Sequence, residues 1–314
     1  MTLGRMIARR VGMGLVAAWA ILSVVFALFT LTDDWVFDQE TVPLRWAGAD
    51  EEVLEAVQEE YFAARGLDGS FLENYASWML DMVLLNWHDS FLTDEPAFDR
   101  VMESVVVTGT YVVPSVLIAI TAGITIGVYT ALHPDSRLAN LGTAATYLLF
   151  ALPSFWVGGM LISYVITGHV GYSYTLLNFV LPVAFTTVAL LGGYVSYARA
   201  HSMEYASADF VKLVKAKGGS RVDLAVHVAR NSAIPFFSML FTEALGLLVL
   251  AIFVIEVLFG IEGFGLVLFE SVNERDLPVL LGGTVVIIAV GVLGSIIQDV
   301  SYSVLDPRVD TGSR

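Results

Sequence analysis

Residues 106–132 read VVTGTYVVPSVLIAITAGITIGVYTAL, twenty-seven positions without one charged side chain. Further apolar segments lie at about 11–31, 141–166, 179–198, 236–258 and 279–300. Each is long enough, at about 1.5 Å per helical residue, to cross the roughly 30 Å hydrocarbon layer of a bilayer. An unpaired backbone group in lipid costs several kcal/mol, so a spanning segment satisfies its own hydrogen bonds and is a helix or part of a closed barrel. The alternation that marks barrel strands is absent. The expectation is an all-α integral membrane protein with six transmembrane helices.

Composition agrees. Only 15% of residues are charged and 56% are hydrophobic, against about 25% charged in a soluble domain. The run Val11–Leu31 is too long for the apolar core of a signal peptide and lacks a convincing cleavage site, so it reads as an uncleaved anchor. The chain has no cysteine, which excludes disulfides and thiolate chemistry. A net charge of −15 with three lysines resembles the solvation strategy of salt-loving organisms.

Basic residues set direction. Arg5, Arg9 and Arg10 precede the first span, which puts the N-terminus in the cytoplasm, and an even number of spans returns the C-terminus there. That topology places twelve Lys and Arg residues inside and four outside (Arg45, Arg65, Arg100, Arg275), while segment 33–104 alone carries 18 of the 31 acidic residues. The expected organisation is 1–32, cytoplasmic segment and first span; 33–104, an acidic extracellular helical insert; 105–304, a five-helix core with a cytoplasmic loop at 199–234; and 305–314, a cytoplasmic tail. Within the insert, Val53, Leu54, Val57 and Tyr61 recur at helical spacing behind Asp50, placed to cap. Phe71, Leu72, Tyr75, Trp78, Met79 and Met82 repeat the pattern after Ser70. Such helices would lie on the membrane surface or cover the external mouth; an acidic cap and a specific docking surface are both compatible with them.

The three lysines, Lys212, Lys215 and Lys217, fall together in DFVKLVKAKGGSRVDLAVHVARNSAIP, residues 209–235. Phe210, Val211 and Val214 share one helical face, Lys212 and Lys215 another. Gly218–Gly219 ends that helix, since glycine enters the left-handed C-cap without steric cost. Ser220 and Asp223 form a capping-box-like start for a second helix. The positive-inside rule alone accounts for the lysines, but not for a loop of about 36 residues where roughly two to eight suffice in a helical bundle.

This stretch resembles the EAA-type loop of ABC importer permeases, in the form found in the dipeptide/oligopeptide/nickel branch, at Asp209, Ala216, Lys217, Gly218, His227, Arg230, Asn231 and Pro235. ALPSFWVGG (151–159), VIEVLFGIEGFG (254–265), RDLPVL (275–280), LDPRV (305–309) and the basic start at Arg5–Arg10 are similar to that family's other motifs, in order. Two positions depart from its pattern: Gly219 stands where a larger apolar residue is usual, implying a looser turn, and Glu262 where proline is frequent. The resemblance implies a coupling helix that docks on a separate ATPase. Phe210, Val211 and Val214 would anchor it, Lys212, Lys215 and Lys217 would form the rim, and Gly218 the tight turn. It also implies two ABC ATPase subunits that hold ATP and Mg²⁺, a second homologous permease subunit pairing as a heterodimer, and an extracellular substrate-binding protein. This chain itself would bind no cofactor.

Glu243 lies about 12 Å into the fifth span, where a carboxylate costs on the order of 2.5–3.5 kcal/mol. It reads either as a contact on the translocation path or as a hydrogen-bonded packing residue. Glu256 and Asp299 lie near span ends and read as solvated at the interface, as do His133 and His169. Pro114, Pro153 and Pro182 and the pairs Gly158–Gly159 and Gly192–Gly193 allow kinks and close helix contacts. No P-loop or H-E-x-x-H pattern occurs, and the net charge disfavours nucleic-acid binding. An intramembrane hydrolase would need a paired nucleophile and base that are missing. The function expected is the non-enzymatic permease subunit of an ATP-driven importer in the plasma membrane, for peptides or similar small solutes. The alternative is a secondary transporter or channel using Glu243 as an ion or proton site.

Overall fold

A computed structural model describes residues 3–168, 173–206, 209–231 and 244–305. Among them the structure is helical, with one isolated bridge, Asp89 to Pro96, and no strand. The helices are α1 (Leu3–Leu31), α2 (Trp35–Trp46), α3 (Glu51–Ala64), α4 (Phe71–Val83), α5 (Ala97–Leu132), α6 (Arg137–Ala151), α7 (Ser154–Ile166), α8 (Leu181–Ala206), α9 (Asp209–Ala216), α10 (Arg221–Asn231), α11 (Ala244–Phe259), α12 (Phe264–Asn273) and α13 (Leu277–Leu305). Four helical stretches are long and apolar enough to cross a membrane, and up to six if each of two broken pairs counts as one span.

The breaks fall where backbone chemistry demands them. The expected third span, 141–166, is two helices bent by 78°. Pro153 cannot donate a backbone hydrogen bond and pushes the residue before it out of the helical region, and Leu152 is indeed extended. Pro182 follows directly on a π-turn at Leu176–Val180 that runs without a break into α8, a local widening of the helix next to the residue that lacks an N–H. The helix that begins the fourth span runs on to Ala206, so the cytoplasmic segment expected from residue 199 starts as the last two turns of α8.

The chain forms two compact units. In the unit of 1–105 and 266–292, Tyr75 of α4 hydrogen-bonds Ser23 of α1 at 2.7 Å, and Phe26 packs edge-on against it. Arg275 is buried although its charge marks it for solvent: Nε sits 3.1 Å from the Asp34 carboxylate, and the guanidinium donates to Thr32 Oγ1 and to the carbonyls of Phe29 and Asp33. The rings of Phe29 and Trp35 flank it at 4.4 and 4.8 Å. Next to it, the buried Asp276 accepts from the Ser90 hydroxyl and the Phe91 N–H.

Asp34 caps α2 through Val36 and Phe37 N–H, and Tyr61, whose phenol burial pushes up to about 12, also donates to it. In α3, Asp50 stands at the N-cap but makes no side-chain cap, contrary to the expectation from sequence; its neighbours Glu51 and Glu52 supply the favourable charge in the first turn. Ser70 and Glu73 do form a capping box at α4.

In the unit of 106–265 and 293–314, α5 and α8 meet backbone to backbone. A Cβ at Gly123 would lie 2.5 Å from Tyr194 Cβ, and one at Gly127 2.8 Å from the Arg199 nitrogen. Glycines four apart on α5 thus admit Tyr194 and Ala198, four apart on α8. Gly158 of α7 accepts Leu258 of α11 in the same way.

Arg275→Met leaves the Asp34 carboxylate buried without its cation and is expected to lower stability by roughly 3–5 kcal/mol. The thermal midpoint of the detergent-solubilised protein reads the loss, and adding Asp34→Asn to the same chain recovers part of it.

Candidate functional site

The lysine-bearing segment folds as the sequence pattern leads one to expect. Helix α9 ends at Ala216, and Gly218 takes the left-handed conformation at φ +77°. The Gly219 N–H reaches back to the Val214 carbonyl at 3.0 Å, and Lys217 N–H to Leu213 at 3.0 Å, which satisfies carbonyls that the helix end would otherwise orphan. Ser220 then opens α10 with a reciprocal box: its N–H and hydroxyl reach Asp223 Oδ2 at 2.9 and 2.7 Å, and its Oγ accepts the Asp223 N–H at 3.1 Å. Hydrogen bonds from the Ser220 hydroxyl and N–H hold the Asp223 carboxyl below its ordinary value. The box therefore stays formed as pH falls through the usual aspartate range and is lost only once pH drops through the lowered value.

The turn is tight rather than loose. A Cβ at Gly219 would lie 2.7 Å from Val214 Cγ1 and 3.0 Å from the Val214 carbonyl oxygen, so the absent side chain permits close packing. This corrects the expectation drawn from the family's usual apolar residue there, and it also relocates Val214. That side chain is half-buried against the turn instead of projecting as an anchor. Leu213, which the helical-face reading passed over, is 56% exposed and projects beside Lys212 and Lys217, both exposed. On α10, Val222 and Val226 are 71% and 59% exposed, and His227 is exposed. Ala216 and Gly218 are exposed as well. Asp209, Phe210, Val211, Lys215, Arg230 and Asn231 lie in α9 and α10 by backbone, while their side chains fall outside the described set. Glu243, Pro235 and His169 lie outside the described residues.

The site that sequence reasoning misplaced is Glu256. It is 0% exposed, not solvated at an interface. Oε1 accepts from Thr108 Oγ1 at 2.5 Å and Tyr111 Oη at 2.7 Å, both on α5, and Oε2 accepts from the Gly265 N–H at 2.6 Å. Thr108 Oγ1 in turn accepts the Phe264 N–H at 2.8 Å. The signal available in the sequence was a carboxylate followed closely by a glycine-rich turn, FGIEGFG at 259–265; nothing local identified Thr108 and Tyr111 as its donors. Asp299 is half-buried and His133 stacks on Tyr129 at 4.7 Å.

Two groups of residues are thus assembled: a basic, partly apolar helix–turn–helix surface, and a buried carboxylate that ties a turn to α5. Among the described residues no cluster of His, Asp and Glu has the arrangement of a metal site.

Residues 123–311 match the family described as "Binding-protein-dependent transport system inner membrane component". The chain is 27% identical over 281 residues to the metal-staphylopine import system permease protein CntB of Staphylococcus aureus, covering 84% of each chain. It is 26% identical over 297 residues to the dipeptide transport system permease protein DppB of Bacillus subtilis, covering 93% of this chain and 95% of that one. Over 282 residues it is 26% identical to the oligopeptide transport system permease protein AppB of the same organism, covering 83% and 87%.

Ser220→Ala removes half of the α10 cap, a loss of about 1 kcal/mol. Hydrogen exchange at the amides of Asp223 and Leu224 is expected to accelerate roughly fivefold; mass-spectrometric exchange on the full chain reads it.

Proposed function

The chain belongs to the binding-protein-dependent transport system inner membrane components, and from that premise we propose how it works. It is a permease subunit of an ABC importer, is not itself catalytic, and leaves ATP hydrolysis to a partner subunit. In the reading advanced here it crosses the plasma membrane six times with both termini in the cytoplasm. Residues 33–104 form an extracellular insert, 105–304 the permease core, and 199–234 the cytoplasmic docking loop. A second, homologous permease subunit completes the path as a heterodimer, two ATPases carry ATP and Mg²⁺, and an extracellular binding protein delivers the solute. The relatives' names point to peptides or to metal-chelating small molecules as the class of solute.

The observation that carries the docking role is the α9–turn–α10 surface. Leu213 and Val222 present apolar area beside the exposed Lys212 and Lys217, an apolar contact with a charged rim. Its turn is locked by a left-handed glycine, a glycine packed on Val214, and the Ser220–Asp223 box. A stiff loop transmits displacement; a loose one would absorb it.

Gly218→Asp forces a side chain into a left-handed conformation at the point where the chain reverses. Transport is expected to be abolished while membrane insertion persists, measured as ATP-dependent uptake and as chain abundance in the membrane fraction. Normal uptake by the variant would overturn the docking assignment. Uptake driven by a proton or sodium gradient with the ATPases omitted would overturn the importer reading itself.

A further inference from the structure

Docking leaves Glu256 without a role, yet it is a fully buried carboxyl group that gathers hydrogen bonds from two helices' worth of chain. Thr108 and Tyr111 from α5 and the Gly265 N–H from the turn all converge on its two carboxyl oxygens. They join the turn after α11 to the start of the apolar part of α5.

The turn is shaped to close on that carboxyl group. Gly260 is left-handed at φ +63°, and the Ile261 N–H returns to the Glu256 carbonyl at 3.0 Å, the same closure seen at Gly218. A Cβ at Gly263 would collide with the Glu256 carboxylate, and one at Gly265 would lie 3.0 Å from the Phe253 nitrogen. Both glycines therefore let backbone pack where a side chain would stand. The absence of proline at Glu262 does not prevent the turn: Glu262 is exposed at its tip while Ile261 beside it is buried. The far end of α5 faces the docking loop across an apolar cavity of about 440 Å³, lined by Val128, Tyr129 and Leu132 on one side and by Val222 and Val226 of α10 on the other.

We propose that Glu256 is a positioning residue that locks the 260–265 turn to α5, so that the turn follows α5 when the docking loop moves. The proposal rests on the permease reading above. Losing the lock frees the turn without disturbing the docking surface, so ATP hydrolysis continues while uptake fails.

The chain has no cysteine, so single introduced thiols report cleanly. Glu262→Cys, already exposed, reports the side of the membrane: labelling by an impermeant maleimide in intact cells places the turn outside, and its absence overturns the topology alone. Ile261→Cys reports the lock, read in the detergent-solubilised importer whatever the topology. Adding Glu256→Ala is expected to speed its labelling on the order of tenfold or more, from loss of the hydrogen bonds of Thr108, Tyr111 and Gly265 to its carboxyl group. Adding Tyr111→Phe, which keeps the ring, should speed it by roughly two- to fivefold. In the assembled importer Glu256→Ala should retain ATP hydrolysis and lose uptake. If Glu256→Ala does not accumulate, Tyr111→Phe decides. Unchanged Ile261→Cys labelling in the variant that accumulates, or loss of hydrolysis and uptake in parallel, overturns the proposal.

Discussion

A polar group in lipid must find its partner inside the protein, because water is not there to supply one. That demand selects helices for every long apolar run in this chain, and it also decides what happens where a helix cannot continue. At Pro153 the break is a simple bend, since the missing N–H costs the least at the start of the next helix. After α11 the break contains free N–H groups, and they are met by the Glu256 carboxylate and the Thr108 hydroxyl. The acidic residue is therefore less an intrusion into the membrane than the acceptor that an interrupted helix requires.

The same logic governs charges near the ends of α1 and α13. Counted as sequence, Arg275 is one of four basic residues outside. In the structure it is buried against Asp34, three backbone or hydroxyl acceptors and two aromatic rings. Removing a buried ion from water is repaid only when its charge and donors find partners; here the two terminal nitrogens donate to the Thr32 hydroxyl and to backbone carbonyls, while Nε lies 3.1 Å from the Asp34 carboxylate as an ion pair without hydrogen-bond alignment. Topology rules based on counting treat all arginines alike; burial separates this one, which holds residues 29–35 to the segment before α13, from those that orient the chain.

What could be read from the sequence was whatever is local. The α10 capping box, the left-handed Gly218 and the amphipathic α3 and α4 depend on residues within five positions of one another, and they stand as expected apart from the silent Asp50. The side-chain donors to Glu256 lie 145 and 148 residues away, so no periodicity could pair them with it. The Gly123–Gly127 contact with α8 was missed for a related reason. Glycines four apart mark a face for close approach, but only the fold names the partner. Leu213 failed differently: a helical wheel groups residues by angle, and it assigned Val214 to a partner before Gly219, the immediate neighbour in space, could claim it.

Glycine has opposite uses in this molecule, and the distinction bears on how motion passes through it. At Gly218 and Gly260 it reverses the backbone, and each time the next N–H closes a ring onto the carbonyl five residues earlier. Along α5 it removes bulk so that α8 seats directly on backbone. None of these is a hinge: a reversed glycine whose successor is hydrogen-bonded, or one packed at van der Waals distance, has lost the freedom that makes glycine flexible. A displacement entering at α10 therefore meets stiff junctions, and α5 is the element that packs on α8, faces α10 across an apolar cavity and holds Glu256. A buried carboxyl group leaves polar atoms unpaired when its donors are withdrawn, so the Glu256 cluster carries the turn along with α5.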